Sequence, residues 1–105
     1  MSIILDIRSK EEYCKGHICN SFNIPTPLPP FTNDSVNNLQ DNLKKFIQKN
    51  KIKQDVTIIV YCKKGIRAEK AKILLHKLGV KNVINIGGLS VEPLKSSVGK
   101  LCKCK

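Results

Sequence analysis

Cys62 lies between a strand pattern and a helix pattern, at a position where a thiol could act as a nucleophile. The most apolar run of the chain, residues 56–61, precedes it, and a short polar loop, Lys63 to Arg67, follows. Helical spacing of apolar residues begins directly after this loop. The first backbone N–H groups of a helix have no intrahelical acceptor, so together with the helix dipole they attract anions. The sequence therefore predicts an anion-binding loop that favours the thiolate form of Cys62.

The same loop supplies the candidate substrate ligands, and we expect its backbone N–H groups to bind an anion. Gly65 permits the tight backbone that such a loop needs, and the basic side chains add positive potential. These candidates are Lys63, Lys64, Gly65, Ile66 and Arg67. Asp6 and Arg8 end another predicted strand at the same edge, where we expect them to support the loop rather than react. His17 is expected to order a turn through its backbone contacts.

Strand patterns alternate with helix patterns along the chain, which predicts an α/β fold with a parallel sheet. In such sheets ligands bind at the carboxyl ends of the strands, where Cys62 lies. A proline-rich loop over 25–30 is the expected rim of the pocket. The predicted strands are 3–7, 21–24, 56–61 and 82–86; the predicted helices run from Ser9 to Gly16, from Asp34 or Ser35 to Asn50, and from Ala68 to Gly79.

Length and charge narrow the possible classes of protein. The 105 residues predict one domain, 1–105, with a mobile basic tail over 95–105. The formal net charge is +11, but the lysines are scattered and arginines and aromatic residues are few, so we expect no specific nucleic-acid partner. No segment approaches the roughly 20 apolar residues that span a bilayer, so no membrane partner is expected.

The five cysteines are odd in number and lack the paired spacing of a zinc site. We therefore expect reduced thiols rather than disulfides, with no metal, no cofactor and a cytoplasmic, reducing location. Cys14 and Cys19 are expected to be small, half-buried apolar residues, although a role in relaying sulfur stays open. Cys102 and Cys104, in the tail, could reach Cys62 or bind a soft metal.

Ordered blocks of sequence resemble the rhodanese-like domain family, and the single-domain rhodaneses, or thiosulfate sulfurtransferases, in particular. The blocks are 5–8 (LDIR), 11–13 (EEY), 16–18 (GHI), 23–25 (NIP), 60–62 (VYC), Gly65-x-Arg67, 77–79 (KLG) and 83–88 (VINIGG). The resemblance implies a three-layer α/β/α fold, with a small parallel sheet flanked by helices. It also implies a sulfurtransferase in which Cys62 takes sulfur from an anionic donor such as thiosulfate. Cys62 would hold this sulfur as a persulfide and pass it to a thiol, a protein or cyanide.

Two alternatives remain open at the level of sequence. Cysteine phosphatases and arsenate reductases that resemble this fold carry a Cys-x5-Arg loop, whereas Cys62 and Arg67 form Cys-x4-Arg, which favours sulfur donors. A catalytically weak binding module is the other, because Ala68 stands where many members of the family have serine. Few residues precede the strand that ends at Asp6, so an uncovered sheet edge could pair with a second chain, and we expect a monomer or a weak homodimer.

Overall fold

Four parallel strands form one sheet in the computed structural model, which describes residues 2–105. Met1, the first residue of the predicted domain 1–105, lies outside the described residues. The strand order across the sheet is β2-β1-β3-β4. The strands are β1 (Ser2–Asp6), β2 (Phe22–Asn23), β3 (Thr57–Cys62) and β4 (Asn82–Gly88). The predicted α/β class and the parallel sheet are confirmed.

Helices connect or follow these strands. They are α1 (Lys10–Lys15), α2 (Asn33–Lys49), α3 (Ile66–Lys77) and α4 (Leu94–Ser97). The first three were predicted and the short α4 was not. Gly79 adopts a positive φ of 96° just beyond α3, as expected of the residue that ends a helix.

The two central strands carry the core. Leu5 of β1 and Val60 of β3 lie opposite each other in register and are fully buried. Leu43 of α2 and Leu75 of α3 belong to the same buried cluster. β-Branched and aliphatic residues suit strands that are covered on both faces. Because β1 and β3 pair in register to their ends, Asp6 lies opposite Tyr61, the residue before Cys62.

Helix α2 begins two or three residues earlier than the sequence pattern suggests. Its N-cap is Thr32, whose hydroxyl accepts the N–H of Ser35 at 3.0 Å, while the Ser35 hydroxyl accepts the N–H of Thr32 at 2.8 Å. The prediction of Asp34 or Ser35 as the cap is therefore wrong. Three polar residues within four positions can each cap a helix, and the extended backbone of Thr32 decides between them. The capping box of α1, Ser9 with Glu12, includes the predicted cap Ser9.

The prediction of reduced thiols is wrong for four of the five cysteines. Cys14 is bonded to Cys104, and Cys19 to Cys102. His17 and Cys102 exchange two backbone hydrogen bonds of 2.8 Å, which places the C-terminal residues antiparallel to the turn after α1. This pairing brings Cys14, near the end of α1, and Cys19, in the turn after it, each against a cysteine of the C-terminal segment. The segment 95–105, expected to be mobile, is therefore fastened to the body of the domain.

The two disulfides are evidence about the compartment in which the protein works. Disulfides persist in oxidising compartments and are rare or transient in the cytosol, so the pairs weigh against a reducing environment. The cytoplasmic location stays a prediction. Between residues 2 and 105, no helix is long and apolar enough to cross a membrane. Within the same range, no three His, Cys, Asp or Glu side chains are placed to bind a metal ion.

Candidate active site

Cys62 ends β3, and its sulfur is turned toward the first turn of α3. The Sγ atom accepts hydrogen bonds from the N–H groups of Gly65, at 2.9 Å, and Ala68, at 3.4 Å. Gly65 is the N-cap of α3 and adopts a positive φ of 104°, a conformation that favours glycine. Two backbone donors on one sulfur stabilise negative charge there. The strand, loop and helix therefore form the arrangement that the sequence predicts around Cys62.

A pocket of about 360 Å³ opens next to this sulfur. The loop residues Lys63 and Lys64 border it, and both are exposed. Leu28 and Pro29 also border it, so the proline-rich loop does form part of the rim, as predicted. Cys62 itself is only 1% exposed and is, among residues 2–105, the one cysteine outside a disulfide. A small anion in this pocket would meet the sulfur and two lysines.

Arg67 lines the pocket, but its charged head group is engaged elsewhere. Its Nη1 donates to Glu12 at 2.7 Å and to the carbonyl oxygen of Thr26 at 3.1 Å, while Nη2 donates to Glu12 at 3.0 Å. The residue is only 2% exposed. Both terminal nitrogens thus have partners within the protein, and Arg67 ties α3 to α1 and to the proline-rich loop. The expected part of Arg67 in substrate binding, through its backbone N–H and its positive potential, stays a prediction.

Glu12 is a functional residue that sequence reasoning missed. Its hydrogen bonds with Arg67, aided by the N–H and hydroxyl of Ser9, lower its pKa from the usual 4.5 to about 2. The carboxylate therefore stays charged throughout the neutral range. Glu12 and Arg67 are 55 positions apart. Only the capping-box spacing of Ser9 and Glu12 marks this glutamate in the sequence, and that spacing indicates a helix start rather than a partner for Arg67.

Asp6 and Arg8 form a buried ion pair that supports the end of β3. Arg8 donates from Nε and Nη2 to Asp6, at 3.0 and 2.7 Å, and from Nη2 to the carbonyl oxygen of Gly16 at 2.6 Å. The Tyr61 hydroxyl donates to Asp6 at 2.7 Å and accepts the N–H of Ile18 at 3.0 Å. Burial raises the pKa of Tyr61, so this hydroxyl keeps its proton. The network fixes the residue next to Cys62 and agrees with the supporting role expected for Asp6 and Arg8.

Gly88 is a second residue whose importance the sequence did not reveal. A Cβ atom at this position would lie 2.1 Å from the carbonyl oxygen of Lys63 and 2.4 Å from the nitrogen of Lys64. The end of β4 thus packs directly against the backbone of the loop after Cys62. The hydroxyl of Ser90 donates to the same Lys63 carbonyl at 2.7 Å. Consecutive glycines at 87 and 88 were a signal of such close backbone approach.

The hydrogen bonds of His17 are to α1 and to the C-terminal segment. Its Nδ1 is 2.8 Å from the carbonyl oxygen of Tyr13, and its ring stacks on that of Tyr13 with centroids 3.7 Å apart. Its backbone pairs with Cys102. The expectation that His17 orders a turn is confirmed.

Solved structures resemble this chain along its whole length. A rhodanese with anions from E. coli is similar over 99% of this chain and 100% of its own, with a TM-score of 0.71 and 25% identity. A rhodanese-like domain protein from Staphylococcus aureus is similar over 100% of this chain and 83% of its own, with a TM-score of 0.66 and 23% identity. The second likeness, at its lower identity, shows the fold alone.

Curated relatives include a tRNA uridine(34) hydroxylase and a sulfurtransferase. The tRNA uridine(34) hydroxylase of Buchnera aphidicola subsp. Baizongia pistaciae is 33% identical over 87 residues, which are 83% of this chain and 25% of that protein. A Schizosaccharomyces pombe protein, provisionally named a mitochondrial thiosulfate sulfurtransferase, is 28% identical over 91 residues, which are 87% of this chain and 62% of that protein. The chain thus spans about a quarter of the length of the hydroxylase relative. Residues 1–91 match the family model for the rhodanese-like domain. The chain therefore belongs to the rhodanese-like domain family.

Proposed function

We propose that the protein is a sulfurtransferase that carries sulfane sulfur on Cys62. One observation carries this proposal: the single unpaired sulfur among the described residues accepts two backbone N–H groups at the end of a lysine-bordered pocket. A thiolate is the nucleophile that attack on sulfur requires. The two lysines and the unpaired N–H groups of the first turn of α3 suit a small anionic donor.

The transfer divides into two displacements on sulfur. The Cys62 thiolate attacks the outer sulfur of thiosulfate; the new sulfur–sulfur bond forms as the donor's own breaks, and sulfite leaves with the electron pair. Cyanide or a thiolate acceptor then attacks the outer sulfur of the Cys62 persulfide. That second bond breaks with its electron pair returning to Cys62, which regenerates the thiolate. Neither step needs an added oxidant or reductant, and covalent catalysis of this kind replaces one difficult transfer by two easier ones.

Ala68 is the reason to consider a catalytically weak binding module instead of an enzyme. The serine found there in many relatives would supply one hydroxyl to the loop, and this chain lacks it. The Ala68 backbone N–H nevertheless donates to the Cys62 sulfur. Position 68 therefore keeps a hydrogen-bond donor to the sulfur without that hydroxyl, which favours an active enzyme over a binding module.

Steady-state assays test this proposal directly. We expect the protein, kept free of reductant, to form thiocyanate from thiosulfate and cyanide, and Cys62→Ser to form none above the uncatalysed rate. An aryl phosphate should not be hydrolysed by either protein. Thiocyanate formation equal in both proteins would contradict the role of Cys62, and phosphatase activity that depends on Cys62 would favour the phosphatase alternative.

Action on tRNA is a second candidate function, favoured by the hydroxylase relatives and by the net charge of +11. It ranks second because the chain spans only a quarter of those relatives. Specific binding would require an affinity for tRNA well above that for DNA of equal length, at the same salt concentration. Affinity that is equal for both and falls steeply with salt would indicate charge alone.

A further inference from the structure

A groove of about 670 Å³ runs along α3 beside the Cys62 pocket. We call it the α3 groove, and its side-chain lining comes mainly from Phe31, Lys64, Ile66, Glu69, Lys70 and Ile73. Lys64 and Ile66 also line the Cys62 pocket, so the two spaces are neighbours. A ligand in the α3 groove that extended past Lys64 and Ile66 would reach the Cys62 pocket.

Two isoleucines of α3 form an apolar surface in this groove and are not packed into the core. Ile66 is 58% exposed and Ile73 is 43% exposed, whereas Leu74 and Leu75 of the same helix are buried in the core. Positions seven apart lie on one face of a helix, about 10 Å from each other at 1.5 Å per residue. Phe31 of the loop before α2 adds an aromatic ring on the same groove.

The charges around the groove favour an anionic ligand. Lys64 is exposed, and the ammonium group of Lys70 is held 5.6 Å from the centre of the Phe31 ring. Glu69, the one carboxylate among the described lining residues, already accepts a hydrogen bond of 3.1 Å from the amide of Asn85. That neutral donor leaves the charge of Glu69 in place, so the groove carries two lysines against one carboxylate, an excess of one positive charge. The net charge of the whole chain, +11, adds attraction of the same sign.

The two spaces differ in size, and the smaller one suits the sulfur donor while the larger one suits the sulfur acceptor. The Cys62 pocket, of about 360 Å³, accommodates a donor the size of thiosulfate, which does not need the apolar α3 groove of about 670 Å³. The α3 groove suits a larger molecule with apolar and acidic groups. We propose that the sulfur acceptor of this protein is a thiol carried on an extended acidic segment of a partner protein, which docks in the α3 groove. This inference rests on the proposed sulfur transfer.

The geometry also sets the spacing within that segment. An extended chain advances about 3.3 Å per residue, so about three residues cover the distance from Ile66 to Ile73. A partner thiol at the Cys62 pocket would then have an apolar side chain three positions away, against Ile73 and Phe31, and acidic residues between them. The partner thiolate attacks the outer sulfur of the persulfide, its proton having passed to solvent. The bond to Cys62 breaks with the electron pair returning to Cys62.

Two synthetic peptides, Leu-Asp-Glu-Cys and Leu-Lys-Lys-Cys, test the proposal. Their binding is measured by fluorescence anisotropy with labelled peptides in which serine replaces the cysteine, on Cys62→Ser protein, so that binding does not depend on sulfur chemistry. We expect the acidic peptide to bind more tightly. Adding Lys70→Glu or Ile73→Ser should weaken its binding about fivefold, by loss of one ion pair or of apolar contact. The matched controls Lys44→Glu, on α2, and Ile84→Ser, on β4, should change it less than twofold.

Sulfur transfer from thiosulfate-loaded protein, otherwise wild type, provides the second readout. We expect transfer to the acidic peptide to slow about fivefold in Lys70→Glu and Ile73→Ser, with transfer to cyanide unchanged. Equal binding of the two peptides, or equal effects of groove and control variants, would overturn the inference while thiocyanate formation still upheld the sulfurtransferase. Groove-dependent binding of the acidic peptide without persulfide formation would uphold the docking of the peptide and overturn the sulfurtransferase. If an RNA oligonucleotide displaced the acidic peptide and Ile73→Ser had no effect, the ligand of the groove would be nucleic acid. That result would also overturn the inference of a protein partner.

Discussion

At the scale of single residues, Gly88 determines how closely β4 approaches the loop after Cys62. We expect Gly88→Ala to lower the free energy of unfolding by about 1–3 kcal/mol, because its methyl group would meet backbone atoms that must shift. The shift would move Lys63 and Lys64, so the rate of sulfur uptake from thiosulfate should fall more than tenfold. Denaturant unfolding and single-turnover kinetics measure the two effects.

Gly99→Ala is the matched control for this substitution. A Cβ atom at Gly99 would have no neighbour within 4 Å. This variant should therefore keep both the stability and the rate of the wild type. A Gly88→Ala protein with normal uptake of sulfur would show that the loop tolerates displacement, against our account of the site.

Glu12 makes the stability of the fold depend on pH. Because its pKa is lower in the folded protein, about 2, than the usual 4.5, its ion pair stabilises the fold fully above about pH 4.5. That contribution is lost as the pH falls toward 2. We expect Glu12→Gln to lose about 1–2 kcal/mol at pH 7, since Arg67 is left buried without its counter-charge while water reaches the 26% exposed Glu12 side chain.

The test of this prediction is the difference in unfolding free energy between wild type and Glu12→Gln, measured from pH 7 to pH 2. The difference should be constant down to about pH 4.5 and shrink below it. Glu11→Gln is the control, since Glu11 is exposed and forms no ion pair among the described residues. A difference that stayed constant over the whole range would contradict the assigned ion pair.

At the scale of elements, the two disulfides fasten the C-terminal segment to the end of α1 and to the turn that follows it. They close loops of 90 and 83 residues between nearly the same two places in the fold. Removing one pair, as Cys14→Ser with Cys104→Ser, leaves the long loop closed by the other, so we expect a loss of about 2 kcal/mol. Removing both opens the long loop, and the loss should reach about 7 kcal/mol, more than the sum of the single losses.

Thermal unfolding with and without dithiothreitol measures these losses. Dithiothreitol should destabilise the wild type as much as removal of both pairs does, and it should have no effect on the variant that lacks all four cysteines. A wild type that dithiothreitol leaves unchanged would show that these cysteines are not paired in solution, and strictly additive losses would contradict the sharing of one long loop by the two pairs.

The elements themselves could be predicted because their signals are local. The apolar run before Cys62 is long enough to mark β3, and the spacing from Ala68 to Leu78 marks α3. The cap of α2 could not be chosen, since Thr32, Asp34 and Ser35 are all good caps. The disulfides depend on the register between the turn at His17 and residues near the C-terminus, which no local pattern records. Only the parity of the four cysteines left beside Cys62 hinted at them.

The candidate site was predictable in part for the same reason. Cys62 and its loop are contiguous in sequence, so a strand followed by a helix was enough to find them. The partner of Arg67 is Glu12, on another helix, and the close approach of Gly88 comes from another strand. Such contacts follow from the folded sheet. They give the Arg67 side chain a role in joining α3 to α1 that the sequence did not predict.

At the scale of the whole molecule, the net charge of +11 should speed the encounter with an anionic donor. We expect kcat/KM for thiosulfate to fall about three- to tenfold between about 10 and about 200 mM salt, as screening shortens the reach of the field. Chloride and acetate salts should act alike. Transfer from the persulfide to a neutral thiol such as 2-mercaptoethanol should change little. A salt effect of equal size on both steps would indicate a change in the fold rather than in the attraction of the donor.

The measurement that tests the central claim most directly is mass spectrometry of the protein after thiosulfate, with peptide mapping under non-reducing conditions. Our account predicts the mass of one added sulfur atom on the peptide that contains Cys62, its removal by cyanide, and no addition to Cys62→Ser. Both disulfides should remain intact in both proteins. Sulfur retained by Cys62→Ser, or no sulfur on folded wild-type protein, would contradict the claim that Cys62 is the sulfur carrier.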